Sequence, residues 1–149
     1  MTAKRVVICT DGACLGNPGL ASIGAVIKDE SGKLIGTISQ CIGQATNNQA
    51  EYAAIIAALE EAIRLGAEEV DVRSDSELVV KQLNGRYKVK KTTLKPLYQK
   101  VVRLAGSLEA FAITHIPREQ NRQADRLANK ALAPSFPKEA QNELRTNAG

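Results

Sequence analysis

Apolar and polar positions along this chain fall into short, sharply bounded segments whose period changes from one to the next. Arg5 to Thr10 (RVVICT) is a compact apolar run that reads as a buried strand. Asp11 ends it and opens DGACLGNPG, whose glycines and proline predict a turn. Ile23 to Lys28 and Leu34 to Cys41 are two further strands, joined by the hairpin-turn composition Asp29-Glu30-Ser31-Gly32. From Asn48 to Leu65 the period becomes helical. Ala54, Ile55, Ala58, Leu59, Ala62 and Ile63 share a face, Gly66 stops the run, and the many alanines allow close approach to a sheet.

Beyond it, Val70 and Val72 alternate in a strand over Glu69 to Ser74. A short helix spans Ser76 to Leu83 and is broken by Asn84-Gly85. After the basic segment RYKVKK, Thr93 is placed to cap a helix running to Gly106. Phe111 to Ile116 is the last strand, ended by Pro117. Asn121 to Leu132 is the last helix, with an apolar stripe at Ala124, Leu127, Ala128, Ala131 and Leu132. Three strands joined in series, then strands alternating with helices, predict an α/β fold. Its five-stranded mixed sheet is antiparallel at one side, parallel at the other, and carries helices on both faces.

No repeat or linker divides the pattern, so residues 1–133 are expected to form one domain and 134–149 a polar, flexible tail. A length of 149 residues suits that division. No apolar run is long enough to span a bilayer, and MTAKR leads into a strand and not a signal peptide. The expected location is cytoplasmic, with no membrane partner and a monomer as the default state. Cys9, Cys14 and Cys41 have no zinc-ligand spacing and one histidine, His115, to join them; they read as free thiols in a reducing compartment.

Charge changes the picture more than composition does. The net charge is +4, with 20 basic and 16 acidic residues. Between Leu78 and Leu108 stand Lys81, Arg86, Lys88, Lys90, Lys91, Lys95, Lys100 and Arg103 with no acid among them, so the remainder of the chain is net acidic. One stretch carries the whole positive excess, which fits a polyanionic partner as well as a solvated helix face.

Four carboxylates carry the candidate chemistry. Asp11 and Asp75 each follow a strand, Glu51 sits in TNNQAEY at a helix start, and Asp125 lies in the last helix. Taken singly, each has an ordinary structural explanation as a turn, cap, dipole or ion-pair residue. Ionised carboxylates resist burial unless paired or metal-bound. Four of them converging on one sheet edge suggest a magnesium site and a metal-dependent enzyme acting on phosphodiesters.

In this order, TDGACLGNPG, TNNQAEY, SDSELVVKQLNG and PREQNRQADRLA resemble the type 1 ribonuclease H family, over about Val6 to Leu132. The resemblance implies a ribonuclease H-like fold and cleavage of the RNA strand of RNA–DNA hybrids, leaving 3′-hydroxyl and 5′-phosphate ends. It implies two Mg2+ ions, with Mn2+ as the alternative, held by Asp11, Glu51, Asp75 and Asp125. In that scheme Asp11 bridges the ions, Glu51 and Asp75 complete one site, and Asp125 belongs to the second. The resemblance assigns Cys14, Asn17, Asn48 and Gln49 to contact with the hybrid, and Thr46 to a phosphate pocket on the DNA strand. Asn47 joins them at the helix start, where free N–H groups and amides suit phosphate and sugar oxygens. The TNNQ cluster also has the composition of an ordinary helix cap.

The chain departs from the family pattern twice. Where many members place a loop histidine before the last carboxylate, this chain has Arg118, which stays protonated and suits phosphate binding or product release better than base catalysis. Glu119 is the nearest alternative there, and His115 reads as structural. The tryptophan-rich basic protrusion of several members is absent, since the chain has no tryptophan, and GRYKVKKTT stands in its place. Tyr87 is placed to stack on a sugar or base, Lys88, Lys90 and Lys91 to neutralise phosphates, and Thr93 to take the position of a phosphate-pocket asparagine. Weaker, more salt-sensitive binding is expected. A related-fold exonuclease or resolvase and a non-catalytic hybrid-binding module are the competing readings; the TNNQAEY and GNPG segments and the four retained carboxylates speak against them.

Overall fold

Three antiparallel strands lead the chain: β1 (Arg5–Leu15), β2 (Gly19–Asp29) and β3 (Leu34–Ala45). There follow α1 (Asn47–Arg64), β4 (Glu69–Ser74), α2 (Glu77–Leu83), α3 (Lys95–Gly106), β5 (Ala110–His115), a single 3-10 turn (Arg118–Gln120) and α4 (Arg122–Leu132). The structure is a computed structural model and describes residues 4–132. The strand order is β3-β2-β1-β4-β5, with β1 antiparallel to β2 and parallel to β4. The polar tail expected over 134–149 lies outside the described residues.

The register explains which residues form the core. Val6 and Ile8 pair with Val70 and Val72, Val70 and Val72 pair with Phe111 and Ile113, and Ile8 pairs with Ile27 across the antiparallel side. These side chains share one sheet face and pack against Tyr52, Ile55, Ala58, Leu59 and Ala62 of α1. Small residues at 54, 58 and 62 let the helix lie on the strands, as the alanine content predicts. Tyr52 is fully buried, and its hydroxyl donates to Gln82 Oε1 at 2.6 Å, tying α1 to α2. Burial pushes that phenol's pKa upward, so the group stays a neutral donor.

The opposite face is covered by α4 across β1, β2 and β3. The Ser39 hydroxyl donates to the Leu127 carbonyl at 2.6 Å, and that of Ser22 donates to the Ala128 carbonyl. Helices therefore stand on both faces of a five-stranded mixed sheet, as the pattern of periods predicts.

Three local expectations need correction. β1 does not end at Thr10: it runs through Asp11 to Leu15, because β2 continues to pair with it as far as Leu20. Cys14 accordingly lies in a strand, where a turn was expected. Thr93 does not cap α3. Leu94 holds that position without a side-chain cap, because its own burial at 2 % exposure and Pro96 in the first turn set the helix start. The predicted hairpin turn is present, with Asp29 Oδ1 accepting from the amides of Ser31 (2.9 Å) and Lys33 (3.0 Å).

Candidate active site

The site arises where one strand outruns its neighbour. β1 keeps its antiparallel partner to Leu15, but its parallel pairing with β4 ends at Thr10↔Ser74. Past that point the Gly12 amide has no strand acceptor, and Glu51 Oε1 takes it at 2.8 Å. Glycine is required here: a Cβ would stand 2.6 Å from the Ala50 carbonyl carbon and 2.7 Å from the Glu51 amide nitrogen. The missing side chain is what lets α1 bring Glu51 against the strand beside Asp11. Gly12→Ala is expected to destabilise the fold by about 1–3 kcal/mol through overpacking against backbone. Urea unfolding checks this, and an unchanged midpoint would contradict the contact.

Asp75 is the first residue beyond β4, and oxygens of Asp11, Glu51 and Asp75 all lie within 4.8 Å of one another. Asp125, in the first turn of α4, reaches Asp11 and joins these three around one cavity of about 450 Å³. Two asparagines that were not singled out from the sequence hold Asp125 there. Asn121, 1 % exposed, donates to the Thr10 carbonyl at 2.8 Å and stitches the start of α4 to β1. Asn129, one turn after Asp125, donates to its Oδ1 at 3.2 Å and lines the same cavity. The i, i+4 spacing to Asp125 is the signal that marks Asn129.

Electrostatically, Asp11 and Glu51 resist ionisation without a counter-charge. Burial first, then the Glu51 charge, contact with Asp125 and the Asp75 charge push Asp11 up to about 9. Burial pushes Glu51 up to about 7, against the lowering effect of the Gly12 amide. Among the described residues, no hydrogen-bond donor meets the buried Glu51 Oε2. An orphaned carboxylate oxygen amid clustered acids fits a divalent, oxygen-preferring cation, which supplies the missing charge.

The reverse transcriptase-like family matches residues 9–131. A ribonuclease H1 crystal structure from Halobacterium salinarum superposes with a TM-score of 0.84 at 43% identity, covering 86% of this chain and 97% of that one. The chain belongs to the type 1 ribonuclease H family. An RNase H1 solved in complex with an RNA/DNA hybrid gives a TM-score of 0.84 at 44% identity, over 89% of this chain and 99% of that one. A bifunctional protein of Mycobacterium tuberculosis is 45% identical over 86% of this chain, which spans only 35% of that relative's length.

The other residues expected to serve this ribonuclease H family member divide into groups. Cys14, Asn47, Asn48 and Arg118 line the acidic cavity; His115 and Glu119 do not. The Cys14 thiol donates to the Ala45 carbonyl at 3.1 Å. Asn17 Oδ1 accepts the Asn47 amide at 3.0 Å, locking the β1–β2 turn onto the start of α1. Thr46 and Gln49 form a reciprocal capping box: Thr46 Oγ1 accepts the Gln49 amide at 3.2 Å and Gln49 Oε1 accepts the Thr46 amide at 2.8 Å. The helix-cap reading of TNNQ thus holds for those two side chains. Tyr87, Lys88, Lys90, Lys91 and Thr93 are exposed and line no part of the cavity. The Lys81 ammonium sits 5.0 Å from the Tyr87 ring centroid and donates to its hydroxyl at 3.3 Å. The hydroxyl end of that ring is therefore already engaged. No described helix is long and apolar enough to cross a membrane.

Proposed function

We propose that this chain is an endonuclease that hydrolyses the RNA strand of RNA–DNA hybrids, using Mg2+ and accepting Mn2+. The observation that carries this reading is the convergence of Asp11, Glu51 and Asp75, with Asp125 on the same cavity wall, beside the amide-rich start of α1. The family membership and the hybrid-bound relative support it. Monomeric action in the cytoplasm belongs to the same reading.

When bound, divalent ions would supply Lewis-acid activation and charge stabilisation for the departing oxygen. The protein's own part is to place the strand. Asp11, Glu51, Asp75 and Asp125 would hold the cations. The Asn47 and Asn48 side-chain amides, at the helix start set by the Thr46–Gln49 capping box, face the sugar-phosphate chain, and a short amide can both donate to and accept from a 2′-hydroxyl. Arg118 pairs with the scissile phosphate; it cannot take the water's proton. Water oxygen bonds to phosphorus and gives up a proton to solvent as the bond to the 3′-oxygen breaks; that oxygen takes up a proton from solvent, leaving a 3′-hydroxyl and a 5′-phosphate.

A substrate panel tests the reading: hybrid, DNA duplex and single-stranded RNA, each with magnesium, manganese or chelator. Cleavage confined to the hybrid and dependent on metal is expected. Equal cleavage of DNA duplex would point to a different nuclease of this fold, and hybrid binding without cleavage to a binding module. Lys88/Lys90/Lys91→Ala is expected to weaken hybrid binding and lower the salt slope by roughly 2–3, read from affinity at several salt concentrations. Indifference of affinity to these changes would remove the loop from the substrate path.

A further inference from the structure

α4 is pinned to the sheet by two alanines and a leucine. Ala124, Ala128 and Leu132 are buried. The helix lies so close to β2 that a Cβ on Gly24 would stand 2.2 Å from the Ala124 carbonyl oxygen and 2.5 Å from the Ala128 amide nitrogen. With the Ser22 and Ser39 hydroxyls bonded to its backbone, the helix cannot rotate. At about 100° per residue, positions two places from the buried stripe point away from the sheet. Those positions hold Arg122, Arg126 and Lys130, all exposed.

They differ from the five described cations that stand in ion pairs. Lys4, Arg64, Arg73, Lys81 and Lys100 each have an acidic partner. Among the described residues no ion pair engages Arg122, Arg126 or Lys130. Like charges four residues apart destabilise a helix, so an unpaired row of three is costly without an anion to meet it. Together with Asp125 and Asn129 they line one open depression of about 740 Å³. Asp125 and Asn129 also line the acidic cavity, so the two hollows join at Asp125.

We infer that this face of α4 is a phosphate track for the strand being cut, gripping it next to the scissile bond through Arg122, Arg126 and Lys130. The inference rests on the nuclease reading above, which puts the scissile phosphate in the acidic cavity. A strand held there and leaving past Asp125 runs directly into the basic depression. Successive charges along α4 are about 6 Å apart along the axis, a step commensurate with neighbouring phosphates on one strand. Arginines flank Asp125 at 122 and 126, and the guanidinium fork suits a phosphate's paired oxygens. The track is a different surface from the loop of Lys88, Lys90 and Lys91, which lines neither hollow.

The test compares wild type with Arg122→Gln/Arg126→Gln/Lys130→Gln on a hybrid containing one cleavable site. At near-physiological salt the triple variant is expected to raise KM roughly tenfold, leave kcat within about twofold, and lower the salt slope by about 2–3. Arg122→Lys/Arg126→Lys should keep the slope while losing part of the affinity. Thermal unfolding of the triple variant at or slightly above that of wild type separates the effect from folding. A second arm shortens the cut strand on one side of the site or the other. One truncation should weaken binding to wild type and leave the triple variant unmoved. Cleavage by wild type with an unchanged KM and salt slope in the triple variant would overturn the track alone. Failure of wild type to cleave any hybrid would overturn the nuclease reading, and the track with it.

Discussion

Asp11→Asn is expected to lower turnover by at least about three to four orders of magnitude while hybrid binding survives. Asp11 is the acid at the centre of the cluster: it meets Glu51, Asp75 and Asp125, which come from three other parts of the chain. The amide keeps the shape and removes the charge that a divalent cation needs. Loss of several kcal/mol of charge stabilisation corresponds to that drop in rate. Backbone pairing of Asp11 with Gly24 does not involve the side chain, so the strand remains intact. Single-turnover cleavage and fluorescence anisotropy on one hybrid separate the two effects. Retained turnover would remove Asp11 from the reaction; joint loss of binding and turnover would make its role structural.

Much of this site is legible in the sequence because its parts are local. The hydrophobic periods place Glu51 at a helix start and Asp75 just past a strand, and the structure puts both there. Asp11 is different. Its frame, an apolar run followed by glycines and a proline, has the composition of a strand end, yet the strand continues for four more residues to Leu15. What stops at Thr10 is the pairing with β4, and a partner's length is invisible in the strand's own residues. The same holds for Gly12. Its composition says turn, while its real constraint is the backbone of α1 docked 2.6 Å from where a Cβ would be. Asn121 stayed hidden for a similar reason: it looks like a helix cap, but its work is a buried bond to Thr10, 111 residues away in the chain. Thr93 failed in the opposite sense, as a good local cap displaced by the burial of Leu94.

Without divalent cations, the protein is expected to lose stability as pH rises from about 4 to about 9, and metal should restore it. Unfolded carboxyls titrate near 4. In the folded chain Glu51 is raised to about 7 and Asp11 to about 9, burial being the leading cause for each. Over that window the folded state therefore holds protons the unfolded state has released, so the stability slope with pH is negative. The contribution is fully present below the unfolded pKa and is lost as pH passes the raised values. Divalent cations bind only the folded cluster and need its deprotonated form, so their stabilisation grows as the apo stability falls. Thermal unfolding at pH 5 and pH 8.5, in chelator and in magnesium, should give a metal-dependent rise that is small at the lower pH and large at the higher. Asp11→Asn isolates the cause, since other acids titrate too. In chelator at pH 8.5 the variant should melt several degrees above wild type, and it should respond little to magnesium. Equal melting of the two proteins in chelator across this range would mean that Asp11 carries no burial or charge penalty for a cation to relieve.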